Sequence, residues 1–169
     1  MIDDSFDIDL ASGQPARLIP SVSDTKREER VTSVLLAAFR VVPAFALEVL
    51  KDAGAPSGKN ARIECFTEVV FKEANGKSLR PDGLITIKSG SKRWTALVES
   101  KVGSADLQSE QVEHYLDLAK AHGVNALITI SNQFVADSSQ SPIIIKNQSK
   151  KIIIQFISMQ EIVSSREYN

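Results

Sequence analysis

The stretch that most constrains the fold runs from Arg80 to Lys101, RPDGLITIKSGSKRWTALVESK. Leu84-Ile85-Thr86-Ile87 and Trp94-Thr95-Ala96-Leu97-Val98 are rich in β-branched and aromatic residues, and Lys88-Ser89-Gly90-Ser91-Lys92 between them is turn chemistry. The segment therefore reads as a β-hairpin. Such a hairpin returns Glu99 to the end where Asp82 begins. Side chains two apart on a strand share a face at roughly 6.6 Å, so Glu99 and Lys101 point one way and Ser100 the other. Two carboxylates and an ammonium thus converge at one end of a small sheet, where unpaired charge near a core is costly. A divalent cation is the natural partner. Asp82, Glu99 and the backbone carbonyl of Ser100 are hard oxygen donors of the kind Mg²⁺ prefers, with positions left for water and a phosphate oxygen. Lys101 then faces the attacked phosphate, where it orients water or stabilises the transition state, its pKa lowered by the metal. The same charges also suit a surface hairpin with an exposed ion pair, worth little.

Pro81-Asp82 followed by Glu99-Ser100-Lys101 resembles the PD-(D/E)XK nuclease superfamily, and Gln111-x-x-x-Tyr115 on the next predicted helix is similar to the helical extension of its RecB-like branches. The resemblance implies an α/β fold: a three-layer α/β/α restriction-endonuclease-like core with a mixed central sheet. It implies metal-dependent hydrolysis of phosphodiester bonds in nucleic acid, with DNA the expected substrate. Asp82 and Glu99 would bind Mg²⁺, with Mn²⁺ as a substitute, and Lys101 would serve the water or the transition state. Gln111 would hydrogen-bond Lys101, water or phosphate, and Tyr115 would contact the nucleic-acid backbone or pack below the site. Members of the superfamily also place a glutamate on the first helix; Glu29 is the choice here, with Glu28 behind it, and helix-start acids favoured by the dipole are the plain alternative. A nuclease-like DNA-binding or protein-interaction module without turnover is the alternative function.

At 169 residues and 43% hydrophobic content the chain suits one domain with a real core. Its net charge of −1 exerts no global pull on nucleic acid. Residues 71 to 101 nevertheless hold seven Lys/Arg against three acids, and Arg80, Lys92 and Arg93 are the candidate phosphate contacts. A solvated hairpin rim is the other reading of those lysines. Cys65 is the single cysteine, which excludes a disulfide framework or thiolate site. His114 and His122, eight apart on one predicted helix, do not make a zinc site. With no apolar run of spanning length and no basic, apolar leader, a cytoplasmic protein without a membrane partner is expected. A homodimer or additional domains are both compatible with this composition.

Along the chain, residues 1–22 read as a flexible acidic arm, with Asp3, Asp4, Asp7 and Asp9 against Arg17 and with Gly13, Pro15 and Pro20 as breakers. Residues 23–169 read as the single nuclease-like domain, possible as part of a longer protein. Ser23 or Asp24 caps a helix whose apolar positions are Val31, Val34, Leu35, Ala38, Phe39 and Val42. A second helix follows Pro43 and ends at Gly54. Gly54 to Asn60 lacks the length, the terminal Ser/Thr and the preceding strand of a P-loop. Residues 61 to 71 alternate as a strand, with Glu64, Phe66, Glu68 and Val70 on one face; Glu68 is an accessory metal ligand or an edge charge that blocks aggregation. After Lys101, a helix capped by Ser104 or Asp106 carries Leu107, Gln111, His114, Tyr115 and Leu118 on one stripe. A buried strand, 124–131, then implies a parallel crossover and delivers Ser131, Asn132 and Gln133 to a strand end; Asn132 is a DNA contact or a turn cap. Ile143 to Ile145 and Lys151 to Ile157 complete the strands around a basic patch of Lys146, Lys150 and Lys151.

Overall fold

The computed structural model describes residues 10–20, 26–58, 60–72, 78–101, 107–131, 145 and 152–158. The predicted hairpin is its centre: β4 (Gly83–Ser89) pairs antiparallel with β5 (Lys92–Lys101), from Ser89 opposite Lys92 to Gly83 opposite Val98. Gly90, at φ +61°, takes the first central position of the two-residue turn, where glycine supplies the conformation that other residues resist. On one side β4 pairs antiparallel with β2 (Arg62–Lys72), which also pairs with β1 (Leu10–Pro15) and with the short β3 (Ser78–Leu79). On the other side β5 pairs parallel with β6 (Ala126–Ser131), and β6 parallel with β7 (Ile153–Ser158). The result is an α/β fold on a mixed open sheet in the order β1-β2-β4-β5-β6-β7.

Helices cover both faces. α1 (Arg27–Val41) and α2 (Pro43–Val49), bent by 112° at their junction, pack Leu35, Leu36, Phe39 and Ala46 against Ile85, Ile87, Val98 and Ile128. On the opposite face α3 (Ser109–Ala121) sets Val112, Tyr115, Leu116 and Ala119 against Leu84, Leu97 and Leu127. Each Leu, Ile or Phe withdrawn from water in these layers contributes roughly 1.5–3 kcal/mol before entropy is counted. Trp94 donates its indole N–H to the Ala53 carbonyl at 3.2 Å, tying the turn after α2 to the hairpin. No single helix among the described residues is long and apolar enough to cross a membrane.

Five details differ from the sequence reading. The acidic arm is structured from Leu10: β1 forms an edge strand, where Gly13 and Pro15 are tolerated because one side of the ladder is open. In β2 the alternation slips at Glu68, which adopts φ +53°, and the register with β1 shifts by one residue there. Phe66, Val69 and Phe71 therefore share the α3 face, whereas Ile63 and Cys65 face α1. α1 buries Thr32, Ser33 and Leu36 and leaves Val34 and Val42 exposed, because Leu36 packs directly over Gly83, where any Cβ would strike its methyl group. Of the expected stripe after β5, Leu107, Tyr115 and Leu118 are buried, whereas His114 is exposed, and Val112, Leu116 and Ala119 complete the buried face. The helices also start later than their expected caps Ser23 or Asp24 and Ser104 or Asp106: the N-cap positions are Lys26 for α1 and Gln108 for α3, neither with a side-chain cap hydrogen bond. Those four expected caps, the strand-end residues Asn132 and Gln133, the apolar Ile143 and Ile144, and the basic Lys146, Lys150 and Lys151 lie outside the described residues.

Candidate active site

Pairing of Gly83 with Val98 sets Asp82 beside Glu99 at the end of the hairpin, and Leu36 over Gly83 brings the first helix to the same place. The Asp82 carboxylate accepts the Ser100 backbone N–H at 2.7 Å. Glu99 is 1% exposed. Its Oε1 receives the Lys101 ammonium at 2.9 Å and the Gln111 side-chain amide at 2.6 Å. Its Oε2 is buried with no hydrogen-bond partner among the described residues, and so is the Ser100 hydroxyl. The predicted sharing of a face by Glu99 and Lys101 is thus realised as a direct contact.

Burial, then the Glu99 charge, pushes Asp82 up to about 7, against the opposing pull of the Ser100 N–H and Lys101. Burial also raises Glu99, partly offset by its hydrogen bond and charge attraction to Lys101. For Lys101 burial works downward, but the Glu99 hydrogen bond and the charges of Glu99, Glu28 and Asp82 outweigh it and leave the ammonium raised. Without a metal, then, Lys101 is held as a cation, the reverse of the lowering expected beside one.

Of the helical pair, Gln111 is placed differently from expectation, whereas Tyr115 packs below the site, one of its two expected placements. Gln111 donates to Glu99 rather than to Lys101, and lies 3.4 Å from the Tyr115 hydroxyl. Tyr115 is 5% exposed and donates to the Arg80 carbonyl at 3.2 Å. Its hydroxyl reaches the loop that precedes Asp82, which places the side chain below the site. One chain of hydrogen bonds thus runs from Glu99 through Gln111 and Tyr115 to the base of Asp82.

On the first helix the geometry exchanges the two glutamates. Glu29 is held by Lys26 at 2.8 Å, whereas Glu28 stands 3.9 Å from the Lys101 ammonium. Glu28 is therefore the first-helix carboxylate that faces Lys101, Asp82 and Glu99. The difference is one helical position, about 100° of rotation, too fine for a boundary read from sequence. Glu29 and Glu68 do line a cleft of about 450 Å³ together with Asp82, Arg17, Arg80 and Ser33. Lys92 and Arg93 sit at the far turn of the hairpin, seven and six residues, or roughly 20–23 Å, along β5 from Glu99. Arg93 donates to the Gly90 carbonyl at 3.1 Å, so it braces the turn. Arg17 and Ser33, which carried no sequence signal, also belong to this end of the molecule.

Among the described residues no three His, Cys, Asp or Glu side chains form a metal cluster. A Mg²⁺ site of two carboxylates completed by water and substrate oxygens does not require a third. The donor set fits such an ion: Asp82 and Glu99 adjoin, repel one another, and leave a buried carboxylate oxygen without a partner among the described residues. No family model, curated protein or solved structure matches the chain.

Proposed function

We propose that this protein is a Mg²⁺-dependent nuclease of the restriction-endonuclease-like kind, hydrolysing phosphodiester bonds of nucleic acid, with DNA as the expected substrate. The observation that carries the reading is the Glu99 carboxylate next to Asp82, with one oxygen engaged by Lys101 and Gln111 and the other buried and without a hydrogen-bond partner among the described residues. A carboxylate so placed in a core without a use is costly. Asp82, Glu99 and the Ser100 carbonyl would hold the ion, which when bound supplies charge neutralisation at the phosphate and a more acidic water.

The remaining chemistry belongs to the chain. Lys101 is kept protonated by its acidic neighbours and presents a cation where negative charge grows on the attacked phosphate. The Ser100 amide orients Asp82, and Gln111 fixes the Glu99 carboxylate. Tyr115 holds the Arg80 backbone, and with it the approach to Asp82. A second reading, a nuclease-like DNA- or protein-binding module without turnover, is favoured by the pairing of Lys101 with Glu99 and Glu28 inside the protein.

Incubation with supercoiled plasmid, linear duplex, single-stranded DNA and RNA, each with Mg²⁺, Mn²⁺ or EDTA, separates the two. Cleavage of at least one substrate with either metal and none in EDTA is expected. No cleavage under any of these conditions would leave the binding module.

A further inference from the structure

Two exposed arginines, Arg17 and Arg80, line the same cleft as Asp82, and each has its backbone pinned by a buried helix side chain. Ser33 on α1, 6% exposed, accepts the Arg17 N–H at 3.0 Å and donates its hydroxyl to the Arg17 carbonyl at 2.9 Å. Arg40 reinforces the same turn by donating to the Ala16 carbonyl at 3.0 Å. On the opposite wall Tyr115 donates to the Arg80 carbonyl, and the following Pro81 restricts that backbone further. Long surface cations lose entropy when they are ordered on a ligand. Fixing the base of each arginine lowers that cost, and here both bases are fixed around one cavity.

We propose that this cleft receives a single strand of nucleic acid, with Arg17 and Arg80 clamping backbone phosphates beside the scissile phosphate; the inference rests on the nuclease reading of the Asp82 site. At about 450 Å³ the cavity has the size of a small-ligand pocket, enough for one nucleotide but not for a turn of duplex. Its described lining contains no aromatic side chain on which a base would stack. Recognition therefore runs through phosphate and is tolerant of sequence. Lys26 is committed to Glu29, which leaves the two arginines as the clamp. Glu68, turned into the cleft at the bulge, opposes them and weakens the grip.

The test is fluorescence anisotropy of a labelled oligodeoxythymidylate with the full chain in EDTA, across a salt series. Arg17→Ala and Arg80→Ala should each weaken binding about tenfold. Each should also flatten the salt dependence by about 0.7 in log–log slope. Glu68→Gln should tighten binding, and a blunt duplex of equal length should bind more weakly than the single strand. Unchanged affinity and slope in both arginine variants, weaker binding by Glu68→Gln, or a preference for duplex would each overturn the clamp. Because nothing is cleaved in EDTA, the outcome is separate from catalysis. Arginine-dependent binding by a protein that never cleaves keeps the clamp and sinks the nuclease. Metal-dependent cleavage with arginine-independent binding does the reverse.

Discussion

The Lys101 ammonium lies 2.9 Å from the carboxylate of Glu99, two positions back on the same strand, and both emerge at the end where Asp82 enters. The pairing divides Glu99 into two unlike halves. Oε1 is saturated by Lys101 and Gln111, while Oε2 is buried and bare among the described residues. Residues on the first half should govern how well Glu99 is positioned, and the second half whether it binds an ion.

Lys101→Ala removes the cation from the proposed reaction and also the main attraction that offsets the burial of Glu99. Single-turnover cleavage should fall at least about 100-fold, in line with loss of one preorganised charge at a developing oxyanion. Oligonucleotide affinity should stay near wild type, because the lysine acts as charge grows rather than in the ground state. Cleavage within about tenfold of wild type, a barrier change of only about 1.4 kcal/mol, would remove the lysine from the mechanism.

Gln111→Ala deletes a hydrogen bond to a carboxylate, not to a neutral group, so its loss should cost about 1.5–3 kcal/mol in urea unfolding. Gln111→Glu puts a second negative charge against Glu99 and should cost more. If both variants unfold like wild type, the amide is a bystander on the surface of α3.

The hairpin was legible because its strands and turn each carry strong local signals, and the meeting of Asp82 with Glu99 follows from hairpin geometry alone. The parallel strand β6 was legible as a short apolar run after a helix. The slip at Glu68 was not, since a bulge adds one residue without a change in composition, and nothing in Thr67-Glu68-Val69 marks it. Nor was β1: LASGQP has little strand propensity and forms its strand only because β2 offers an edge. Thr32 and Ser33 look like the polar face of α1, yet both are buried, their hydroxyls spent on the Glu28 and Arg17 carbonyls. Lys92 and Arg93, expected as phosphate contacts, lie away from Asp82 and Glu99 for a simpler reason. Charges close in sequence on a strand separate by roughly 3.3 Å per residue in space.

Glu28→Gln and Glu29→Gln distinguish the two first-helix acids. Glu28 faces Lys101 and contributes to holding it protonated, whereas Glu29 is paired with Lys26 on the surface. Glu28→Gln should lower the single-turnover rate and change its metal dependence. Glu29→Gln should remove only a surface pair worth less than about 1 kcal/mol. The opposite order would restore Glu29 as the acid of the site.

Asp82 supplies the clearest test of the ion site, through the pH dependence of stability. Its folded pKa is raised from 3.8 to about 7, so between those values the folded protein binds more protons than the unfolded chain. Stability from this group is therefore full below the unfolded value and is lost as pH rises through about 7, with Glu99 acting in the same direction. Melting of the metal-free protein should accordingly fall as pH climbs across that window. Asp82→Asn keeps a side-chain oxygen for the Ser100 N–H while removing the charge, so it should flatten the slope and stabilise the metal-free protein at alkaline pH by about 1 kcal/mol or more. An ion that needs the deprotonated pair should bind better over the same rise in pH, so the stabilisation of wild type by Mg²⁺ or Mn²⁺ should grow as its metal-free stability declines. In Asp82→Asn and Glu99→Gln that metal-dependent gain should vanish together with cleavage. Thermal melts and calorimetric Mn²⁺ titration of the three proteins on both sides of pH 7 provide the measurement. A wild-type protein that takes up no heat and gains no stability from either metal, with or without an oligonucleotide, would leave Asp82 and Glu99 as a repelling pair without an ion and would end the catalytic reading.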